Sequence, residues 1–266
     1  MEVIIQPTPI AGAKVGARIV ENLLRKKPRA VLGLATGSTP LGLYRELIRM
    51  HHEDGLDFSQ VTTFNLDEYV GLSAEHPASY HRYMDENFFD HVNISQERIH
   101  IPDGTTPDIP AFCAQYEAEI HNAGGIDLQI LGIGHDGHIG FNEPSSSLAS
   151  HTRIKTLAKE TIEANQRFFS SAKEVPHHVI TMGIGTIMEA QTCLLLAFGD
   201  TKAQAVAAMA EGPVTAMCPA SALQFHRQTV LIVDEPAGGL LKRAEYYRHV
   251  YANKPKFQEV SSFMPR

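Results

Sequence analysis

The feature that most constrains this chain is a series of short, unbroken apolar runs, each closed by glycine or a polar turn and followed by a longer stretch of helical periodicity. Residues 30–35, 128–133, 179–182, 193–198 and 230–233 read as strands with no continuous polar face, and 61–65 as a further strand. Such a strand must be covered on both sides, a condition met by parallel sheets with crossover helices and not by hairpin sheets that leave one face in water. The segments between them supply the helices, over 41–52, 79–89, 110–123 and 203–211; in the first, Leu43 and Leu47 stack along one face, as do Tyr44 and Ile48. No linker, repeat or low-complexity tract interrupts the pattern. The chain is therefore expected to form one doubly wound, Rossmann-like α/β domain over 1–266, its mostly parallel sheet covered by helices on both faces. The tail from about 238 is expected to be a regulatory or interface element.

Charge narrows the partners. The 30 Asp+Glu outnumber the 23 Lys+Arg, for a formal net charge of -7, which argues against grip on a nucleic-acid backbone. No stretch approaches the roughly 18 apolar residues a membrane span needs, and the N-terminus lacks the pattern of a signal peptide. The three cysteines, Cys113, Cys193 and Cys218, are too scattered for a disulfide framework or zinc ribbon and are expected to be buried thiols. A cytoplasmic protein is expected.

In a doubly wound fold, ligands bind beyond the carboxyl ends of the strands, so motifs there carry the functional weight. Residues 35–40 (Ala-Thr-Gly-Ser-Thr-Pro) follow the first strong strand and precede a helix. The backbone N–H groups of Gly37, Ser38 and Thr39 are placed to cradle an anion at that helix N-terminus; the competing reading is a plain turn in which Ser or Thr caps the helix. Gly132-Ile133-Gly134-His135-Asp136-Gly137 spells a dinucleotide fingerprint, but no carboxylate follows near 152–157 and no helix signal follows the glycines, so a dinucleotide is not expected. Instead the loop carries Asp136, His138 and Glu143 together, an imidazole able to exchange protons beside carboxylates that would fix its tautomer. Metal binding is the rival reading, without the His-Glu-x-x-His or paired-cysteine spacing that would favour it. Asp67 is expected where a strand gives way to a loop, as a base or as a turn cap, with Glu68 an ordinary loop acid. Arg167 and Lys202 offer cations, Lys202 at a helix start where the dipole prefers an anion. Together these suit proton transfers on a small phosphorylated metabolite.

Three segments then carry a resemblance: residues 32–40, 64–72 (Phe-Asn-Leu-Asp-Glu-Tyr-Val-Gly-Leu) and 131–144, with further matches at 147–150, 153–157 and 219–224. Over essentially its whole length the chain resembles the glucosamine-6-phosphate deaminases. That resemblance implies ring opening, isomerisation and deamination of D-glucosamine 6-phosphate to D-fructose 6-phosphate and ammonia, without metal or cofactor. It implies His138 as the ring-opening acid–base, Asp136 and Glu143 as the groups that orient it, and Asp67 as the carrier of the proton between C2 and C1. Gly37, Ser38, Thr39, Arg167 and Lys202 would hold the phosphate; Ser38 stands where many members carry Gly. Ser146, Ser147, Arg153, Lys155 and Thr156 resemble the effector segment of members activated by N-acetyl-D-glucosamine 6-phosphate, and a homo-oligomer, with a hexamer favoured, is implied. The rivals are a related 6-phosphogluconolactonase and a non-enzymatic sugar-phosphate sensor.

Overall fold

The computed structural model describes residues 1–166, 169, 171 and 174–255. The elements run β1 (Glu2–Gln6), α1 (Pro9–Lys26), β2 (Val31–Leu34), α2 (Leu41–Asp54), β3 (Thr62–Asn65), β4 (Asp67–Tyr69), α3 (Tyr80–Asn87), β5 (Ile99–His100), α4 (Ile109–Asn122), β6 (Leu128–Leu131), β7 (Arg153–Thr156), α5 (Lys159–Asn165), β8 (His178–Thr181), α6 (Ile184–Met188), β9 (Thr192–Ala197), α7 (Ala203–Glu211), β10 (Thr229–Asp234) and α8 (Ala244–Ala252). A seven-stranded sheet, ordered β1-β10-β9-β6-β2-β3-β5, is parallel throughout. The double burial expected of its strands is met residue by residue. In β9 and β10, Cys193, Leu195, Leu231 and Val233 face α4, α6 and α7 through Tyr116, Ile120, Ile187, Val206 and Met209. Their neighbours Leu194, Leu196, Val230 and Ile232 face α1 and α2 through Val20, Leu24, Leu43 and Leu47. Alternation along each strand thus feeds two cores. All three cysteines are buried and unpaired, and no helix among the described residues is long and apolar enough to cross a membrane.

Three expectations need correction. The strand read at 179–182 is β8, and it lies outside the parallel sheet, antiparallel between β4 and β7 in a three-stranded sheet of its own. Its side chains are nonetheless covered, because Val179 joins Tyr69, Phe141 and Leu157 in a separate cluster. Second, Asp67 opens a strand instead of a loop. Leu66 is the pivot: its N–H bonds Leu34 O in the large sheet at 3.0 Å, and its carbonyl accepts Met182 N beside the small one at 2.7 Å. Third, Glu68 is fully buried. The pair β1–α1, which the pattern of apolar runs left unassigned, adds a sheet edge and a covering helix; α1 is capped at Thr8, whose hydroxyl accepts Ala11 N, and carries Arg25 and Lys26 in its last turn. Helix α8, in the tail expected to be regulatory or interfacial, packs back against β1, with Tyr247 and Tyr251 joining the two cores.

Strand order reverses between β2 and β6: the chain moves outward from β2 through β3 to β5, then returns to β6 and proceeds the other way through β9 to β10. The loops leaving β2 and β6 therefore diverge and open a crevice.

Candidate active site

That crevice is a cavity of about 600 Å³. Its lining brings together most of the residues singled out above: Gly37, Ser38 and Thr39 after β2, Asp67 after β3, His138 after β6 and Lys202 after β9. Asp136 and Glu143 stand behind His138, and Arg167 lies outside the described residues.

At one end, Gly37 adopts a left-handed φ of 94° and the chain turns into α2. The capping alternative fails: the N-cap is Pro40, and no side chain caps the helix. Lys202 occupies the N-cap of α7 and, despite the dipole, faces the cavity. Two tyrosines brace this turn, Tyr44 donating to Ala35 O and Tyr83, itself at the cavity wall, to Gly37 O, each at 2.6 Å. A third, Tyr116, donates to Asn65 O at 2.7 Å and steadies the backbone just ahead of Asp67.

At the other end, His138 Nδ1 lies 2.7 Å from Asp136 Oδ1 and 3.8 Å from Glu143 Oε2. Burial alone would raise Asp136, but the bond to and charge on His138, with backbone N–H donors, override it and hold the carboxyl well below its usual range. Glu143 is fixed by the Thr161 hydroxyl, which donates to Oε1 at 2.6 Å. The ring lies flat over Gly134, where a Cβ would fall 2.3 Å from it. The same three side chains offer ligand atoms within 4.8 Å of one another, a set able to hold a metal ion.

Asp67 is 5% exposed. Burial, then the charge of Glu68, push its carboxyl up to about 8. Gly140 packs against it: a Cβ there would lie 3.6 Å from Asp67 Oδ2 and 3.1 Å from Thr181 Oγ1. The histidine loop and the isolated Asp thus meet across the small sheet. An apolar wall of Tyr69, Tyr80 and Phe141 lines the cavity beside them. Motif reading missed Glu68, Tyr83, Thr161 and this wall. Tyr69 lies inside the 64–72 segment and carried a signal; Thr161 carried none.

Of the expected effector residues, Ser146 is buried, its hydroxyl without a hydrogen-bond partner among the described residues. Arg153, Lys155 and Thr156 lie on β7, Arg153 and Lys155 on one face of it, while Ser147 is exposed. Burial lowers the Arg153 guanidinium, which donates to His151 O at 3.2 Å.

The family described as Glucosamine-6-phosphate isomerases/6-phosphogluconolactonase matches residues 10–232. The glucosamine-6-phosphate deaminase of Pseudarthrobacter chlorophenolicus is 55% identical over 260 residues, covering 98% of this chain and 100% of that one. A solved monomeric glucosamine-6-phosphate deaminase superposes with a TM-score of 0.88 at 45% identity, covering 90% of this chain and 100% of its own. The 6-phosphogluconolactonase of Trypanosoma cruzi superposes with a TM-score of 0.71 at 18% identity, covering 91% and 97%, a likeness of fold alone.

Proposed function

The chain belongs to the family of Glucosamine-6-phosphate isomerases/6-phosphogluconolactonase, and on that premise we propose that it opens, isomerises and deaminates D-glucosamine 6-phosphate, releasing D-fructose 6-phosphate and ammonia in the cytoplasmic breakdown of amino sugars. The observation that carries the reading is that an anion-ready helix N-terminus, a lysine, an imidazole and a buried carboxyl line one cavity. The identity to the Pseudarthrobacter deaminase over nearly the whole chain supports the choice of substrate.

The phosphate lies on the N–H groups of Gly37, Ser38 and Thr39 with Lys202, and Arg167, as counter-charges. His138, oriented by Asp136 and Glu143, takes the anomeric hydroxyl proton and returns it to the ring oxygen, giving the open-chain aldehyde. Asp67 removes the C2 proton, whose acidity the neighbouring aldehyde and ammonium raise, while the ammonium yields a proton to the aldehyde oxygen, and a cis-enolamine forms. Asp67 delivers the C2 proton to C1, leaving an iminium at C2. Water adds there, ammonia leaves, and a ketone remains. Ring opening and isomerisation exchange their protons with named side chains, and no cofactor is invoked.

Stoichiometric ammonia and fructose 6-phosphate from D-glucosamine 6-phosphate test the reading; hydrolysis of 6-phosphogluconolactone with no ammonia would replace it with the lactonase. The half-buried Arg153 and the unpartnered Ser146 hydroxyl support a second anion site, with Ser147, Lys155 and Thr156, for N-acetyl-D-glucosamine 6-phosphate as activator. A homo-oligomer, hexameric by the resemblance, belongs to the same proposal. Sedimentation with and without that ester tests both.

A further inference from the structure

Asp67 is followed by a second carboxylate, Glu68, that the reaction above does not use. On the reading of Asp67 as the proton-carrying base, we propose that Glu68 is its positioning residue: from the back of β4 it ties the base's strand to the first turn of α3 and supplies the negative charge against which Asp67 exchanges its proton.

Side chains alternate along β4. Asp67 and Tyr69 line the cavity, while Glu68 does not. Its carboxylate is 0% exposed. Oε1 accepts Tyr69 N at 2.8 Å. Oε2 accepts Tyr80 N at 2.8 Å and His81 N at 3.1 Å, and lies 3.0 Å from His81 Nδ1. Tyr80 and His81 open α3, so their amides have no acceptor within the helix; the next, Arg82 N, is met by the Ser79 hydroxyl at 3.1 Å. One side chain thus seals a helix end and pins the strand that carries the base.

Sealing a helix end does not require a charge. Serine, threonine or asparagine serves at ordinary ends, and a full carboxylate one residue from a buried catalytic carboxyl is a costly way to do it. The cost is accounted for if the charge itself acts on Asp67, whose raised carboxyl is consistent with it. The groups facing Asp67 from the surrounding elements are Tyr69 on β4, Tyr80 on α3, Tyr116 on α4 and Thr181 on β8. Burial pushes all three tyrosines above their usual range, so they stay neutral. His138 and Lys202 line the same cavity. Glu68 is faced by Tyr69, Tyr80 and His81, and His81 opens on its far side into a side cavity of about 190 Å³ shared with Asp85, His100 and Glu119. Glu68 thus meets His81 Nδ1 on the side next to solvent, away from the substrate.

The test follows the Asp67 carboxyl by ¹³C NMR titration of the full-length protein without sugar phosphate, its resonance assigned by loss in Asp67→Asn. In Glu68→Gln the midpoint falls by about half a pH unit or more, because a like charge has gone. In His81→Ala, which removes the Nδ1 contact at 3.0 Å to Glu68 Oε2, it moves upward. A plain structural role gives no such opposite pair. Midpoints unchanged in both variants would overturn the proposal; if Glu68→Gln does not fold, His81→Ala, at a side chain 28% exposed, carries the test alone. The acidic limb of kcat/KM for ammonia release moves with each midpoint. Shifted midpoints in a protein that releases no ammonia would overturn the deaminase reading while leaving the coupling of the two carboxyls intact.

Discussion

One added carbon at Gly134 tests whether His138 does its work by position. A Cβ built there falls 2.3 Å from Cε1, 2.4 Å from Nδ1 and 2.6 Å from Nε2 of the imidazole. Gly134 is not among the residues with positive φ, so alanine suits the backbone. The amide keeps its bond to His138 O at 2.9 Å, and the carbonyl keeps Gly137 N at 3.1 Å. What must yield is the ring, which has to retreat by about 1 Å to reach ordinary contact beyond 3.4 Å. It cannot do so and also stay 2.7 Å from Asp136. A misplacement of about 1 Å in a reacting group costs on the order of 10²-fold, whereas the side-chain displacement itself costs about 1 kcal/mol. Gly134→Ala should therefore lose about a hundredfold in kcat/KM for ammonia release. Its melting temperature should drop by only a few degrees, and inhibition by inorganic phosphate, which reads the loop after β2, should be unchanged. A folded variant within threefold of wild-type kcat/KM would refute the assignment of His138 as a positioned acid–base.

The burial of Asp67 makes a paired prediction about stability and rate. Its carboxyl titrates near 3.8 in the unfolded chain and about 8 in the folded one, so unfolding above pH 4 releases a proton, and stability falls as pH rises until the folded group also ionises. At pH 7 that penalty is ~4 kcal/mol. Calorimetry of Asp67→Asn should show a gain of this order at pH 7 to 8 and none at pH 4, together with loss of nearly all turnover; an active variant, or a gain independent of pH, would contradict the placement. Tyr83→Phe removes the hydroxyl that holds Gly37 O at 2.6 Å and should raise KM severalfold with kcat nearly unchanged, the signature of a loosened phosphate loop; a fall in kcat alone would place Tyr83 in the chemistry. Exhaustive chelation should leave ammonia release intact, and activity lost to chelation and restored by a divalent cation would put a metal on Asp136, His138 and Glu143.

The sequence was most legible where one element decides its own burial. Strands such as Cys193 to Ala197, apolar at every position, can only be sandwiched, which made the sheet legible and with it the end where the cavity opens. Legibility failed where a residue's role depends on a distant partner. Asp67-Glu68-Tyr69 reads as a polar loop because its strand character comes from pairing with 179–181, more than a hundred positions on. Glu68 reads as a surface acid because the amides that bury it belong to a helix whose start is set by Ser79. Tyr44, Tyr83 and Tyr116 fit helix faces by periodicity alone, yet each hydroxyl ends on a carbonyl at the rim of the site. The loop at 134–143 was legible for a different reason: four titratable side chains, His135, Asp136, His138 and Glu143, crowded among glycines need an explanation that packing does not provide.

The Asp67 carboxyl also bears on which of the family's two chemistries this chain performs. A carboxyl that titrates at about 8 is mostly protonated at pH 7 and, in the proposed role of base, cannot accept a proton until something lowers it. An amino sugar brings the remedy, because the ammonium sits on the very carbon whose hydrogen is to be taken, so a substrate placed for the reaction puts a positive charge beside the carboxyl. A phosphogluconolactone carries a hydroxyl at that carbon and leaves Asp67 neutral. Binding of the amine should then expel close to one proton at pH 7, and binding of the lactone none from this group. Calorimetry with the open-chain amino alditol phosphate, which keeps the ammonium but has no aldehyde to react, in buffers of differing ionisation enthalpy would count that proton. The count should vanish in Asp67→Asn and with the alditol phosphate lacking the amine. A proton expelled equally by both alditols would mean that the phosphate end drives the release and that Asp67 takes no part in selecting an amino sugar.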